Sequence, residues 1–223
     1  MGVLRSSFVL WALLSALTTS SIAFGDDAPK SAPEENWATK QARTLTSQGR
    51  AAAGNGQADV AIRRFLDAIE LDGTYGPAYL ALADLRTRSG EVDEAEKVLD
   101  LGLDRIVGFS EGLRAKAELK VTTKRFDAAT SLFVDVLKSA PDDRTTLERL
   151  IEVATKADRL PVALGAARKL HALAVASGNE SERKNAASTV RVLMKLLGSV
   201  DPVLGTQPSR ERARRALARF RPR

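Results

Sequence analysis

Apolar side chains along most of this 223-residue chain recur three and four positions apart, which is the spacing of one helix face. Ala61, Phe65 and Ala68 stand this way in the run Ala61 to Asp72, and so do Ala129 and Phe133 in the run beginning at Phe126. The stretch Gly90-Glu91-Val92-Asp93-Glu94-Ala95-Glu96-Lys97-Val98-Leu99 reads as a turn followed by a helix. Val190, Leu193, Leu196 and Leu197 form the stripe of another helix over 180–198, which Gly198 and Pro202 stop. Ala213, Ala216, Leu217 and Phe220 place a last short helix over 209–221. Runs of β-branched and aromatic residues with period-two alternation are missing. Ala, Leu, Glu, Arg and Lys fill the long stretches instead, and they lose little side-chain freedom in a helix. The pattern predicts an all-α protein.

The helices recur at a fixed interval. Ala61, Ala95, Ala129 and Ala163 are spaced 34 residues apart. Phe65, Leu99, Phe133 and Ala167 follow them at one constant distance, and Gly49, Ala83, Ala117 and Ile151 precede them at another. Ala68, Gly102, Val136 and Leu170 form a further set, as do Leu45, Tyr79, Leu113 and Leu147. Small residues at a contact let two helices cross closely, and the large residues beside them fill the remaining space. A helix pair of this kind leaves an apolar face open, so copies must stack to bury it.

These positions resemble the tetratricopeptide repeat. Its pattern runs from a large apolar residue to a small one four positions later, then Ala-x-x-x-Phe-x-x-Ala on the second helix, then Pro. The three strong copies contain Ala61 to Asp72, Gly90 to Leu99, and Phe126 to Phe133 with Ala140-Pro141-Asp142-Asp143 after it. Units are placed at about 42–75, 76–109, 110–143 and 144–177, so the array covers 37–177, with a capping helix over 178–200 and a linker and basic helix over 201–223. In the fourth unit Ile151, Ala167 and Leu170 depart from the pattern, which marks it as degraded. The resemblance implies a solenoid of αα-hairpins, a right-handed superhelix of about four units closed by C-terminal capping helices.

The resemblance also implies a binding surface. In the family, the first helix of each unit lines a concave groove, chiefly through positions two, five, nine, twelve and thirteen. Those places hold Arg43, Thr46 and Arg50 in the first unit and Leu80, Asp84 and Arg88 in the second. They hold Glu111, Arg114 and Glu118 in the third unit, then Glu148, Glu152 and Lys156 in the fourth. Gly49, Ala61, Phe65, Ala83, Ala95, Leu99, Ala117, Ala129 and Phe133 are assigned to packing within the repeats. One subclass of the family grips a terminal carboxylate with Lys at position five and Asn at position nine. Thr46 and Arg50 stand there, so that activity is not expected.

The first residues read as an address. Arg5 is followed by the apolar run Phe8 to Leu17, about half of what a membrane-spanning helix needs. Small polar residues come next, then Ala23-Phe24-Gly25 before Asp26-Asp27. This is the layout of a secretory signal peptide over 1–25, with a buried N-terminal helix or a retained anchor as the alternatives. Residues 26–36 are polar and proline-containing and read as a leader. The expected location is the periplasm or outside of a bacterial-type cell.

Composition narrows the chemistry. The chain has no cysteine and one histidine, His171, so thiolate catalysis, disulfides and a His-rich metal site are excluded. No phosphate-cradling loop is present, because Gly54-Asn55-Gly56 falls where a unit turns between its helices. No catalytic residue, cofactor or metal is expected. The net charge of +6 lies wholly in residues 210–223, where Arg210, Arg212, Arg214, Arg215, Arg219, Arg221 and Arg223 face one acid, Glu211. The body is therefore neutral. Nucleic acid is not an expected partner of an exported protein. The basic segment reads first as a second cap, with an anionic membrane surface or an acidic partner as other roles. Two functions are carried forward: a scaffold binding a peptide or protein in the groove, and a peripheral envelope component held by the basic helix or an uncleaved signal.

Overall fold

The computed structural model describes residues 36–198, with nine α-helices and no strand among them. The expected signal peptide, the leader as far as residue 35, and the arginine-rich segment beyond residue 198 lie outside the described residues. The helices are α1 (Trp37–Gly54), α2 (Ala58–Leu71), α3 (Gly76–Arg88), α4 (Val92–Arg105) and α5 (Ser110–Thr122). Then come α6 (Phe126–Ser139), α7 (Arg144–Lys156), α8 (Leu160–Ala176) and α9 (Glu180–Gly198). From Gly76 the first helices start 34 residues apart, at Gly76, Ser110 and Arg144. The second helices keep the same interval throughout, starting at Ala58, Val92, Phe126 and Leu160.

The turn inside each hairpin repeats to the atom. A residue with left-handed backbone ends the first helix at Gly56, Gly90, Lys124 and Asp158, with φ of 76°, 80°, 59° and 61°. The next residue's N–H then returns to a carbonyl five residues back. Gln57 donates to Ala52 at 2.9 Å, Glu91 to Arg86 at 2.9 Å, Arg125 to Lys120 at 2.8 Å and Arg159 to Ala154 at 2.7 Å. This is the closing bond of a Schellman motif, and glycine suits its left-handed position because it has no Cβ. Lys124 adopts that conformation against its preference, at a cost of about 1–2 kcal/mol. Glycine there recovers more than the backbone entropy it adds. Lys124→Gly should therefore stabilise the protein by roughly 0.5–1 kcal/mol, read as a rise in thermal midpoint. Gly90→Ala should move it the other way.

Each hairpin closes around a large-on-small contact. Gly49 on α1 and Phe65 on α2 are both buried, and a Cβ at position 49 would lie 2.5 Å from Phe65 Cε1. Burying such a ring contributes roughly 1.5–3 kcal/mol, which explains why the smallest residue stands beneath it. Ala83 with Leu99 and Ala117 with Phe133 repeat the arrangement, and all four are buried. Ala61, Ala95 and Ala129 are fully buried as well. At the equivalent positions of the fourth unit the sizes are exchanged, with Ile151 on α7 and Ala167 on α8. Both are buried in one cluster. The large and small residues thus change places at these two positions of the fourth unit, while Leu170, at the third departing position, is partly buried against the same cluster.

First helices of neighbouring units touch, α1 with α3 and α3 with α5, whereas no two second helices approach as closely. The first helices α1, α3 and α5 therefore form an inner, tighter layer, which α7 joins through the hydrogen bonds of Arg149 to Glu118, and the second helices form the outer one. The last described helix, α9, packs on α8 and buries Ala186, Leu193 and Leu196. It covers the apolar face that the fourth unit would otherwise leave open.

Candidate interaction groove

The inner layer exposes side chains from α1, α3, α5 and α7. Arg43 and Arg50 on α1 are exposed, as are Asp84 and Arg88 on α3, Glu111 on α5 and Glu148 on α7. Arg114, Glu118 and Glu152 are half-buried. Thr46 corrects the expectation that it lines the groove. It is 1% exposed, and its hydroxyl donates to the Ala42 carbonyl at 2.8 Å. That bond to its own helix satisfies the hydroxyl, so Thr46 sits in the core like an apolar residue.

Several of these charges are tied to one another. Arg149 on α7 donates Nε to Glu118 Oε1 at 2.8 Å and Nη2 to Glu118 Oε2 at 2.6 Å. Its Nη1 reaches Glu152 at 2.6 Å, and Lys156 Nζ reaches the other Glu152 oxygen at 2.7 Å. The two-pronged contact fixes the guanidinium plane, and the hydrogen bonds it donates to Glu118 are the main reason its pKa is raised. Burial alone would raise the Glu152 pKa, yet hydrogen bonds from Lys156 and Arg149 hold it below its usual value. This network spans the third and fourth units. The family positions omit Arg149, although it stands one residue after Glu148.

A second tie joins α5 to the N-terminal cap of α7. Arg114 Nη2 donates to Asp143 Oδ2 at 2.5 Å, and Thr146 Oγ1 donates to the same oxygen at 2.6 Å. Asp143 is also the N-cap of α7, accepting from the Thr145 N–H at 3.2 Å. The Thr146 hydrogen bond is the main cause of a lowered Asp143 pKa, with burial opposing it and Arg114 assisting. A carboxylate whose folded pKa is depressed stabilises the fold above its unfolded value, and that stability is lost as pH falls toward the folded one. Asp143→Ala should cost about 1–2 kcal/mol at neutral pH. In urea titrations the gap between variant and parent should close as the pH is lowered through the acidic carboxylate range.

Arg50 and Glu148 have no ion pair among the described residues and stand at opposite ends of the inner layer. Charge is graded between them. Arg43, Arg50 and Arg88 outnumber Asp84 on α1 and α3. On α5 and α7, Glu111, Glu118, Glu148 and Glu152 outnumber Arg114, Arg149 and Lys156. Elsewhere, His171 borders an open cleft of about 410 Å³ between α8 and α9. Glu180 in that cleft pairs with both Arg183 and Lys184. No cluster of three or more His, Cys, Asp or Glu among the described residues is placed to hold a metal ion. No helix among them is long and apolar enough to cross a membrane.

Comparison with known proteins places this geometry. Residues 52–119 match the family model of the tetratricopeptide repeat. No curated protein sequence matches the chain. A tetratricopeptide repeat protein from Parabacteroides merdae superposes with a TM-score of 0.56 at 11% identity, covering 81% of this chain and 73% of that one. A putative kinesin light chain with nearly identical TPR-like repeats from Podosopora anserina gives 0.55 at 13% identity, covering 83% and 99%. YrrB, described as a TPR protein with an unusual peptide-binding site, gives 0.53 at 11% identity, covering 80% and 89%. At such identities the likeness concerns the fold. The chain is an all-α helical repeat protein whose residues 52–119 carry the tetratricopeptide repeat match.

Proposed function

We propose that this chain is an exported scaffold that binds a peptide or protein segment along the inner layer formed by α1, α3, α5 and α7. The observation that carries the reading is the placement of Arg50 and Glu148, exposed charges of opposite sign and without ion partners, toward the two ends of a surface braced by the Glu118–Arg149–Glu152–Lys156 network. Charges already held by neighbours cost less to order on binding, while free ones remain for a partner. The gradient favours a segment with acidic residues over α1 and α3 and a basic residue toward α7. YrrB, a repeat protein of similar fold, carries a peptide-binding site and supports this class of function. The reading of export rests on the arrangement of residues 1–25.

The test begins with peptides selected on the full chain from a random library, with affinities measured by fluorescence anisotropy. Arg50→Glu and Glu148→Arg together should weaken the selected ligands by roughly tenfold or more, about 1.4 kcal/mol. The unfolding free energy should stay within about 0.5 kcal/mol, because both side chains are exposed. Arg114→Glu would be a poor probe, since it would set a carboxylate against Asp143. Ligands insensitive to the Arg50/Glu148 reversal but lost on substitution in α9 would overturn the assignment.

A further inference from the structure

The constant interval allows the interfaces between consecutive units to be compared position by position. One set of four positions holds Ile62 and Leu66 on α2 with Leu82 and Arg86 on α3. The same set between α6 and α7 holds Thr130, Val134, Leu150 and Ala154. Between α4 and α5 it holds Glu96, Asp100, Lys116 and Lys120. The middle interface is ionic at all four places.

These charges meet across the interface. Lys120 pairs with Glu96 and Lys116 with Asp100, and Lys116 Nζ also lies 4.0 Å from Glu96. Lys120 is only 7% exposed. The apolar core divides at the same place. One cluster joins α1 to α4 and ends at Phe109, and another joins α5 to α9. Between them lies a smaller group of four buried residues, Ala83, Ala95, Leu99 and Leu119, with Leu80, Val92, Val98 and Ala115 partly buried against it.

We propose that the α4–α5 interface is an ionic hinge that divides the array into two cooperatively folding bodies, α1–α4 and α5–α9. In a repeat array, stability is close to a sum of unit terms and nearest-neighbour interface terms, so the array parts at its weakest interface. A largely buried pair such as Lys120 with Glu96 recovers little more than the desolvation it costs, whereas Leu82 and Leu150, the buried residues at the place of Lys116, gain from leaving water. The Phe109 ring, seated among Gly76, Gly102 and Gly112, stays as the pivot at one end. The spacing of α3 and α5, and with it the middle of the groove, is set at this hinge.

The test is amide hydrogen exchange on the full chain, resolved by peptide, in two backgrounds. Leu193→Ala weakens only the second body, because Leu193 lies in the α8–α9 contact and is fully buried. With the native interface, it should lower protection in α5–α9 by roughly tenfold or more and leave α1–α4 within about twofold. In a chain carrying Glu96→Thr, Asp100→Val, Lys116→Leu and Lys120→Ala, the residues of the α6–α7 interface, the same substitution should lower protection in both bodies. An equal fall in both bodies with the native interface overturns the proposal. So does a folded apolar-interface chain in which α1–α4 still ignores Leu193→Ala. If the four substitutions prevent folding, the native background alone decides.

Discussion

Replacing Phe109 by alanine should cost about 3–5 kcal/mol, among the largest losses available from one side chain in this protein. Phe109 sits in the short connection between α4 and α5, where a turn residue would ordinarily be exposed, yet it is only 7% exposed. Its ring is held by three glycines on three helices. A Cβ at Gly76 would lie 2.6 Å from Phe109 Cε2, one at Gly102 would lie 3.2 Å from Cε1, and one at Gly112 would overlap the ring. Surroundings that have already lost their own Cβ atoms have little left with which to fill a cavity. The loss should therefore fall at the upper end of the range. Val107, two residues earlier, is fully exposed, and Val107→Ala should change stability by less than about 0.5 kcal/mol. Urea denaturation of the two variants checks the contrast. A Phe109→Ala loss below about 1 kcal/mol would show that the ring is not packed tightly among the three glycines.

The second large effect is expected at Ala95. It is fully buried on α4 among Ala83, Leu99 and Leu119, none of them a flexible chain end facing water. Ala95→Trp adds an indole where two helices already touch. Overpacking by a few methylenes costs about 1–3 kcal/mol, and an indole exceeds that volume. We expect a loss of at least the upper value, or failure of the second unit to fold. Asp104, on the exposed side of the same helix, serves as the control. Asp104→Trp should leave the midpoint nearly unchanged, which separates a packing clash from any general effect of tryptophan. Equal midpoints for the two variants would count against close packing of α3 on α4.

Much of the fold could be read along the chain because it depends on near neighbours. Ala61, Ala95 and Ala129 mark the close contacts, and Phe65, Leu99 and Phe133 mark the fillers, since a helix brings residues three and four apart onto one face. The fourth unit was harder to read. Ile151 and Ala167 each break the pattern alone, and their exchange of volume becomes sensible only when the two helices are brought together. The turn at Lys124 and Asp158 was also hidden. Glycine announces a left-handed residue at Gly56 and Gly90, whereas lysine and aspartate do not, and the repeat interval is the only signal that they occupy the same place.

The groove was less legible than the core. The family positions assigned Thr46 to it, and a threonine hydroxyl carries no mark of whether water or the Ala42 carbonyl satisfies it. Arg149 was passed over because its partner, Glu118, is 31 residues away and meets it only when two units stack. Nothing local in the sequence marks Glu96, Asp100, Lys116 and Lys120 as partners, for the same reason. Periodicity, helix propensity and the all-α architecture were properties of the sequence by itself, because they arise within a few residues. Which charges pair, which loop residue becomes a wedge, and where the apolar core divides were decided only by the stacking of units, because those contacts join residues that the chain keeps far apart.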